Sequence, residues 1–273
     1  MPELPEVETF RQFAEQYALN RPVRQVRVLT PKILENTTEA QLRQQVETRC
    51  LTHTRRVGKH LLIQIEGGGW LFLHFGMTGY LSYAQGSQRI VNAYGNPALP
   101  EKHIRVQLEF EDGGLFNFHE QRMFGKLGWT PQADAYFKAK KLGPDALEVE
   151  KAPFIAALQK RKGQLKPALM DQSLVAGVGN VYADELLYQC GLHPERLVSG
   201  LPAAAMGEVY TQMVAVLRDT VAVQADRDQL PPHYLLHTRK PKGRCPQGNH
   251  LLDVKSIGGR TTYFCPICQP FLG

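Results

Sequence analysis

The sequence lacks long apolar runs, a secretory leader and repeats. None of its 273 residues belongs to an apolar stretch near the roughly 20 residues that span a bilayer. The first residues have neither the basic segment nor the apolar segment of a signal peptide. We therefore expect no membrane association and a location in the cytoplasm, which in a bacterium means the cytoplasm or nucleoid.

Cysteine is scarce, and its distribution is uneven. Of the five cysteines, Cys245, Cys265 and Cys268 crowd together near the end of the sequence. This distribution favours a metal site in a reducing compartment over a disulfide framework. The isolated Cys50 and Cys190 are expected to be buried apolar side chains.

Acidic residues are fewer than basic ones, 26 against 32, which gives a net charge of +6. This excess favours a polyanionic partner, although many basic proteins bind none. The length suits about two domains, and a hydrophobic content of 43% can supply each with a core.

Residue patterns place strands in the first half of the chain and helices in the second. Antiparallel strands are predicted at residues 23–29, 51–65, 70–81, 103–111 and 115–118. Helices are predicted at residues 151–160, 165–171, 181–190 and 202–223. The spacing of Val7, Phe10 and Phe13 adds an N-terminal helix, residues 84–100 read as a loop, and residues 131–145 as a polar linker. The pattern predicts an α+β protein with an N-terminal two-sheet sandwich or barrel.

Pro2 and Glu3 together suggest amine catalysis. If Met1 is removed, Pro2 becomes a secondary amine at the N-terminus. An α-amino group titrates at roughly pH 8, so a useful fraction is neutral and nucleophilic near pH 7. Its attack on an aldehyde-like carbon gives a cationic iminium, and Glu3 is placed to move protons. The alternative is an ordinary helix start, where proline and acids suit the first turn.

A glycine-rich segment, residues 176–185, ends at a predicted helix start. Gly177 and Gly179 would leave backbone N–H groups and the positive helix end facing an anion, and Asn180 can donate as well. Lys162 and Lys166 precede the segment and add positive charge. The pattern indicates phosphate binding, and a simple turn of the chain is the alternative.

Four segments carry a resemblance to a known family. They are residues 1–6, Asp171-Gln172, residues 176–185 and residues 191–196. With these segments, in this order, the chain resembles the formamidopyrimidine-DNA glycosylase / endonuclease VIII family, and most closely its formamidopyrimidine-DNA glycosylase branch. The fold that this resemblance implies is α+β and multidomain. Its parts are an N-terminal antiparallel β-sandwich with flanking helices (1–130), a linker (131–150), a helix–two-turns–helix DNA-binding domain (151–236) and a C-terminal β-hairpin zinc finger (237–273).

The resemblance also implies catalytic and DNA-binding roles. Pro2 would attack C1′ of the damaged nucleotide, expel the base and form a Schiff base, with Glu3 as the acid/base. Lys59 would contact phosphate and assist the lyase step, although a lone lysine in a hairpin is usually a solvated charge. Further implied DNA contacts are His103, Lys162, Lys166 and Asn180.

A base that leaves the duplex leaves a void, which the protein must fill. Met77, Arg122 and Phe124 match the family's void-filling residues, and a flexible thioether, a guanidinium and an aromatic ring suit that task. Taken singly, Met77 and Phe124 are more often core residues. The chain departs from the family at Met123, where a second basic residue is usual.

The C-terminal segment matches the family's finger only in part. Arg260, at a predicted hairpin turn, would hold phosphate at the lesion and serve the second elimination. Gly248 stands where the family has its second cysteine, and His250 follows two residues later. One structural Zn²⁺ could be held by three thiols and one imidazole, those of Cys245, Cys265, Cys268 and His250. The alternative is a finger that has lost its metal and holds by hairpin packing.

The predicted function is a bifunctional DNA glycosylase and AP lyase that removes oxidised purines and cuts the strand by β,δ-elimination. Its expected partner is double-stranded DNA with oxidised bases or abasic sites, bound by a monomer. Residues 222–232 lack the glycine- and threonine-rich loop that covers an extruded purine in this branch. We therefore expect formamidopyrimidines and further-oxidised guanine to be better substrates than 8-oxoguanine. Alternatives are an endonuclease VIII-like glycosylase for oxidised pyrimidines and a non-catalytic module that binds damaged DNA.

Overall fold

A computed structural model describes residues 1–92 and 103–271 of the chain. These residues form two compact units. The N-terminal unit contains residues 1–2 and 6–140, and the C-terminal unit contains residues 3–5 and the chain from Lys141 onward. Within the described ranges, no helix is both long and apolar enough to cross a membrane.

The N-terminal unit is built on two five-stranded sheets. Its strands, numbered in chain order, are β1 (Val23–Val28), β2 (Leu34–Glu35), β3 (Leu51–Val57), β4 (His60–Ile65), β5 (Trp70–His74), β6 (Tyr80–Gln85), β7 (Gln88–Asn92), β8 (Ile104–Phe110), β9 (Leu115–His119) and β10 (Lys126–Thr130). One sheet has the order β1-β8-β9-β6-β7 and the other β2-β10-β5-β4-β3. Neighbours pair antiparallel except β2 and β10, which are parallel. The predicted antiparallel sandwich is confirmed.

Alternation of apolar and polar residues explains the core of this unit. Along β8, Val106, Leu108 and Phe110 are buried, and they join one hydrophobic cluster with residues of both sheets. Helix α1 (Leu4–Tyr17) adds its apolar face to the same cluster, and the ring of Phe10 lies 4.4 Å from that of Phe75. Helix α2 (Glu39–Val46) begins with a capping box formed by Thr38 and Gln41.

Two predicted irregular segments contain regular structure. Strand β7 lies inside the predicted loop 84–100, of which residues 93–100 fall outside the described part of the chain. Helix α3 (Ala133–Ala139) lies inside the predicted linker and buries Tyr136 and Phe137. The ring of Tyr136 stacks on Phe72 at 4.5 Å, so packing on the sheet stabilises this short helix.

The C-terminal unit is helical and ends in a hairpin. Its elements are α4 (Lys151–Gln159), α5 (Leu165–Met170), α6 (Asn180–Gln189), α7 (Ala203–Ala222), β11 (Asp253–Ile257) and β12 (Arg260–Phe264). The four helices agree with the predicted ones to within one or two residues. Phe154, Leu186 and Met213, from three of these helices, are buried in one hydrophobic cluster. Strands β11 and β12 pair antiparallel around Gly258 and Gly259, whose positive φ angles suit a tight two-residue turn.

Candidate active site and nucleic-acid interface

Glu3 lies against the N-terminus of α6. Its side chain is 1% exposed, and its carboxylate accepts hydrogen bonds from the backbone N–H groups of Val181 at 2.9 Å and Tyr182 at 3.3 Å. The first turn of a helix offers unpaired N–H groups and the positive end of the helix dipole, which stabilise an anion. Two of the donors that the sequence offered to a phosphate are therefore bonded to Glu3. Pro2, directly before it, is buried.

Gly177 gives the N-terminal segment the space it needs. Its φ is +122°, and a Cβ at this position would lie 2.5 Å from Cδ1 of Leu4, whose N–H donates to the Gly177 carbonyl at 3.2 Å. Gln172 fixes the glycine-rich turn, because its side chain accepts from the Gly177 N–H at 3.0 Å and donates to the Val178 carbonyl at 2.7 Å. Gly177 and Gln172 therefore allow Leu4, and with it the adjoining Glu3, to pack against this turn.

Lys166 is completely buried. Its ammonium nitrogen lies 2.7 Å from Oδ1 of Asn180, 2.6 Å from Oγ1 of Thr262 and 2.7 Å from Oδ1 of Asp184. The ammonium group donates hydrogen bonds to Asn180 and Thr262 and forms an ion pair with Asp184. Burial lowers the pKa of Lys166, and Asp184 opposes this effect. Burial raises the pKa of Asp184, and the charges of Arg239 and Lys166 oppose that rise.

The same buried group attaches the hairpin to helix α6. Oδ2 of Asp184 accepts a hydrogen bond from the Tyr263 N–H at 3.1 Å, and the Asn180 side chain donates to the Thr261 carbonyl at 2.9 Å. The Tyr263 N–H and the Thr261 carbonyl both belong to β12, whose first residue is Arg260. Arg260 is exposed directly after the turn. The exposed guanidinium of Arg260 therefore lies on a strand whose following residues, Thr261 and Tyr263, are hydrogen-bonded to α6.

Four side chains of the C-terminal segment form a cluster with metal-ligand geometry. Their donor atoms all lie within 4.8 Å of one another, and they belong to Cys245, His250, Cys265 and Cys268. The Sγ atoms of Cys245 and Cys268 are 3.5 Å apart, and Sγ of Cys265 lies 3.8 Å from Nδ1 of His250. Tetrahedral ligands about 2.3 Å from a zinc ion lie roughly 3.8 Å from each other, so this cluster could hold a metal ion.

Gly248 explains why histidine occupies one corner of this cluster. A Cβ at position 248 would lie 2.4 Å from Cε1 and 2.6 Å from Nδ1 of His250. The imidazole therefore fills the space that a side chain at position 248 would need. The loop is closed by two backbone bonds, from the Cys245 N–H to the His250 carbonyl at 2.7 Å and from the Asn249 N–H to the Cys245 carbonyl at 2.8 Å.

Lys59 lies at the turn between β3 and β4 in the N-terminal unit. It follows Gly58, whose φ is +56°, and it is only 9% exposed, which rules out the solvated hairpin charge considered above. Burial and, next, the charge of Lys59 lower the pKa of His74 to about 4. His60 is the cross-strand neighbour of His74, and burial lowers its pKa to about 3. The imidazoles of His60 and His74 near Lys59 are therefore neutral at pH 7.

Met77, Arg122 and Phe124 lie on two neighbouring loops of the same unit. Met77 is half-buried, whereas Phe124 is 56% exposed, so Phe124 is not a core residue. The guanidinium of Arg122 lies over the Phe124 ring at 5.2 Å from its centroid. Met123, where the family usually has a basic residue, packs its side chain against the hydrophobic core of the unit.

Two further predicted DNA contacts, His103 and Lys162, lie in different units of the chain. His103 is half-buried, and its carbonyl accepts a hydrogen bond from the Glu120 N–H at 3.0 Å, close to the loop of Arg122. Lys162 is exposed between α4 and α5 in the C-terminal unit. Its neighbour Arg161 pairs with Asp171 at 2.7 Å.

Sequence reasoning missed Asp184, Arg239 and Glu120. Asp184 follows Asn180 by four residues, which places both on one helix face and could have indicated a shared partner. Arg239 pairs with Asp184 at 2.7 Å and lies 5.0 Å from the Tyr263 ring centroid, a contact that local spacing does not reveal. Glu120 gave no signal at all, because its partners come from separate turns.

Comparisons with known proteins agree with this arrangement. Residues 1–127 match the formamidopyrimidine-DNA glycosylase N-terminal domain, and residues 142–230 match the formamidopyrimidine-DNA glycosylase H2TH domain. The chain is 32% identical to the formamidopyrimidine-DNA glycosylase of Pelobacter propionicus, over 98% of this chain and 100% of that protein. It is 30% identical to the enzyme of that name from Arabidopsis thaliana, over 100% of this chain and 72% of that protein.

Solved structures of the Lactococcus lactis glycosylase have the same fold. One, bound non-covalently to DNA with an abasic site, has a TM-score of 0.84 and 26% identity over 98% of this chain and 99% of that one. Another, of the wild-type protein bound to DNA with N7-benzyl-Fapy-dG, also has a TM-score of 0.84 and 26% identity, over 98% and 100%. The chain therefore belongs to the formamidopyrimidine-DNA glycosylase family of base excision repair, whose members are bifunctional DNA glycosylases and AP lyases.

Proposed function

We propose that this protein excises oxidised purines from double-stranded DNA and then cuts the strand, with the amine of Pro2 as nucleophile once Met1 is removed. The observation that carries the proposal is the position of Glu3. Its buried carboxylate is held by two N–H groups of α6 and directly follows Pro2 in the chain. A fixed carboxylate beside a secondary amine provides the acid/base that amine catalysis needs.

The proposed reaction begins with attack of the neutral Pro2 nitrogen on C1′. The N–C1′ bond forms, and the glycosidic bond breaks with its electron pair on the base, which takes up a proton. The amine loses its proton, and opening of the C1′–O4′ bond with proton transfer to O4′ gives the iminium. Loss of a C2′ proton then breaks the C3′–O bond, and a second elimination breaks the C5′–O bond. Glu3 is the group that we assign to these proton transfers.

The basic side chains are assigned to the DNA backbone. Lys59 and Arg260 contact phosphates at the lesion and assist the two eliminations. Asn180 holds phosphate around the extruded nucleotide, and His103 and Lys162 contact DNA as well. Lys166 supports this contact by holding Asn180, because its ammonium group is buried among three partners. Met77, Arg122 and Phe124 fill the space of the extruded nucleotide.

The substrate preference is inferred from the segment after α7. Residues 223–232 form this short connection, in which residues Arg227–Gln229 make a 3-10 turn and Ala225 and Leu230 are buried. A packed connection of this length leaves few residues to cover an extruded purine. We therefore propose that formamidopyrimidines and further-oxidised guanine are released faster than 8-oxoguanine. DNA that contains oxidised bases or abasic sites is then the partner, and the bacterial cytoplasm or nucleoid the place of action.

We also propose that the C-terminal cluster holds one structural Zn²⁺ with three cysteines and one histidine. The donor set and the room that Gly248 leaves for His250 support this assignment. Metal analysis of the purified protein should give one zinc per chain, and His250→Ala should lose it to a chelator far faster. A wild-type protein that contains no zinc after growth in zinc would contradict the assignment.

Cleavage of end-labelled duplexes tests the enzymatic proposal. The duplexes carry a formamidopyrimidine, 8-oxoguanine, an oxidised thymine or an abasic site, and the products are separated on a denaturing gel. We expect strand cleavage with both eliminations, and a higher kcat/KM for the formamidopyrimidine than for 8-oxoguanine. Faster cleavage of oxidised thymine than of both purines would favour a pyrimidine glycosylase, and binding without cleavage would favour a non-catalytic module.

A further inference from the structure

Glu120 lies between the two loops that carry Met77, Arg122 and Phe124. Its side chain is completely buried, although a carboxylate is costly to bury unless its oxygens are bonded. One loop connects β5 to β6 and contains Met77, and the other connects β9 to β10 and contains the other two residues. Glu120 directly follows β9, at the start of the second loop.

The carboxylate of Glu120 bonds to both loops. Oε1 accepts hydrogen bonds from the Thr78 hydroxyl and from the Arg122 N–H at 3.3 Å, and Oε2 accepts one from the Gly125 N–H at 3.3 Å. The Arg122 N–H also lies 3.2 Å from the Thr78 hydroxyl oxygen. Thr78 directly follows Met77, and Gly125 directly follows Phe124. Each void-filling side chain is therefore at, or one residue from, a bond to this carboxylate or its threonine partner.

The backbones of the two loops are in close contact. Gly76 has a φ of +56°, and a Cβ there would lie 2.4 Å from the Gly125 nitrogen and 2.6 Å from the Phe124 carbonyl carbon. The second loop is anchored from below by Met123, which has a φ of +62° and packs on the hydrophobic core. The alternation of a core-facing Met123 with an exposed Phe124 directs the ring away from the core.

We propose that Glu120 is a positioning residue that presets the void-filling side chains by joining their two loops. The inference rests on the proposed function, because it assumes that Met77, Arg122 and Phe124 enter the duplex. If the two loops are already ordered, DNA binding does not have to order them. Loss of the Glu120 hydrogen bonds should therefore weaken the capture of a lesion in a duplex more than it weakens chemistry on an exposed abasic sugar.

Two substitutions remove the joint in different ways. Glu120→Gln keeps the shape, but its amide nitrogen cannot accept, so either the Thr78 side or the Gly125 side loses its acceptor. Thr78→Val keeps the volume and removes the hydroxyl, whereas Thr78→Ser keeps the hydroxyl. Glu109→Gln is the matched control, because Glu109 lies on β8 of the same unit and pairs with the surface residues Arg24 and Arg27.

The direct readout is the fluorescence of 2-aminopurine placed opposite a tetrahydrofuran abasic analogue in a duplex. Saturating wild-type protein should change this fluorescence as side chains stack on the orphaned base. Glu120→Gln and Thr78→Val should lose most of the change at saturation, and Thr78→Ser and Glu109→Gln should keep it. For a formamidopyrimidine duplex, the first two variants should lose about 10-fold or more in kcat/KM.

Chemistry on a single strand separates this inference from the proposed function. A single strand with an abasic site has no void and no orphaned base, so Glu120→Gln and Thr78→Val should form the borohydride-trapped adduct within about twofold of wild type, since their amine chemistry is intact. If wild type traps neither this single strand nor an abasic duplex, the proposed function is wrong. If wild type traps and both variants keep the fluorescence change and kcat/KM on duplexes, Glu120 has no positioning role. If Glu120→Gln fails to fold, the comparison of Thr78→Val with Thr78→Ser decides.

Discussion

At the scale of single residues, Gly248 leaves the room in which His250 joins the cysteine cluster of the finger. A side chain at position 248 would displace the imidazole of His250 from the cluster, so glycine here and histidine two residues later belong together. The sequence predicted both the missing cysteine and the substitute ligand. It could not predict their steric dependence, because that depends on how the loop from Cys245 to His250 closes on itself.

Gly248→Ala should release the metal without unfolding the protein. The added methyl group displaces the His250 ring, which is exposed and can move, so the fold tolerates the change while the tetrahedral geometry does not. We expect zinc affinity to fall by at least about 10-fold in a competition titration with a chromogenic chelator. Gly200→Ala is the control, because a Cβ there meets no atom within 4 Å. Unchanged affinity in Gly248→Ala would exclude His250 as a ligand.

Buried neutral histidines should make the N-terminal unit sensitive to acid. His119 is completely buried, stacks on Tyr80 at 4.2 Å and bonds through Nε2 to the Ser82 hydroxyl at 2.8 Å. Burial and then the charge of Arg89 lower its pKa to about 3. Unfolding restores an ordinary pKa near 6.5, so the unfolded chain binds a proton that the folded one does not. The stability is present above about pH 6.5 and is lost as the pH falls towards 3.

The variant His119→Gln should flatten this acid dependence. Between pH 6 and pH 4, one proton taken up on unfolding contributes about 1.4 kcal/mol per pH unit to the slope of the free energy of unfolding. We expect urea titrations to show a slope smaller by about this amount in His119→Gln. The exposed His53 provides the control through His53→Gln, which should keep the wild-type slope. Equal slopes for His119→Gln and wild type would contradict the burial argument.

At the scale of secondary-structure elements, a buried charged group fixes the C-terminal hairpin to α5 and α6. Lys166 comes from α5, Asp184 from α6, and the bonds that they make reach Thr262 and Tyr263 in β12. Arg239, between α7 and the hairpin, adds a second cation at 2.7 Å from Asp184. The position of Arg260 at the start of β12 therefore depends on this group.

Asp184→Asn should destabilise the protein and slow the second elimination more than the first. It leaves the buried Lys166 and the half-buried Arg239 with one neutral partner, and breaking a buried ion pair costs about 3–5 kcal/mol. The loosened hairpin should reduce the ratio of δ- to β-elimination product on an abasic duplex, measured on a denaturing gel below the melting temperature of the variant. Asp253→Asn, an exposed change on β11, should leave both stability and ratio unchanged. A wild-type product ratio in Asp184→Asn would show that this group does not position Arg260.

The sequence could predict the elements whose apolar residues keep helical or strand spacing over many residues, or that are bounded by clear turn residues. Helix α1 follows from the spacing of Val7 and Phe10. The finger hairpin is predicted from the family resemblance with Arg260 at its turn, and the structure has Gly258 and Gly259 in that turn. Helix α3 escaped because it has only seven residues in a polar segment and depends on contacts with the sheet, such as Tyr136 on Phe72. The burial of Lys166 escaped because Thr262 is 96 residues away.

At the scale of the whole molecule, the described residues divide into two compact units. The helical part and the finger hairpin belong to one compact unit, which also includes residues 3–5, and the unit boundary falls at Lys140 and Lys141. The predicted boundaries at residues 130, 150 and 236 stay predictions. Composition indicated where strands give way to helices, but it could not show that Asp184 and Lys166 bind the hairpin into the helical unit.

Amine catalysis by Pro2 can be tested by borohydride trapping on a duplex that contains an abasic site. The protein is first shown by mass spectrometry to have lost Met1, and Pro2→Gly is treated in parallel. We predict a covalent protein–DNA adduct that mass spectrometry locates on the Pro2 nitrogen and that weakens or disappears in Pro2→Gly. The absence of any adduct with protein that lacks Met1, or an adduct on a lysine with equal yield in Pro2→Gly, would contradict the account.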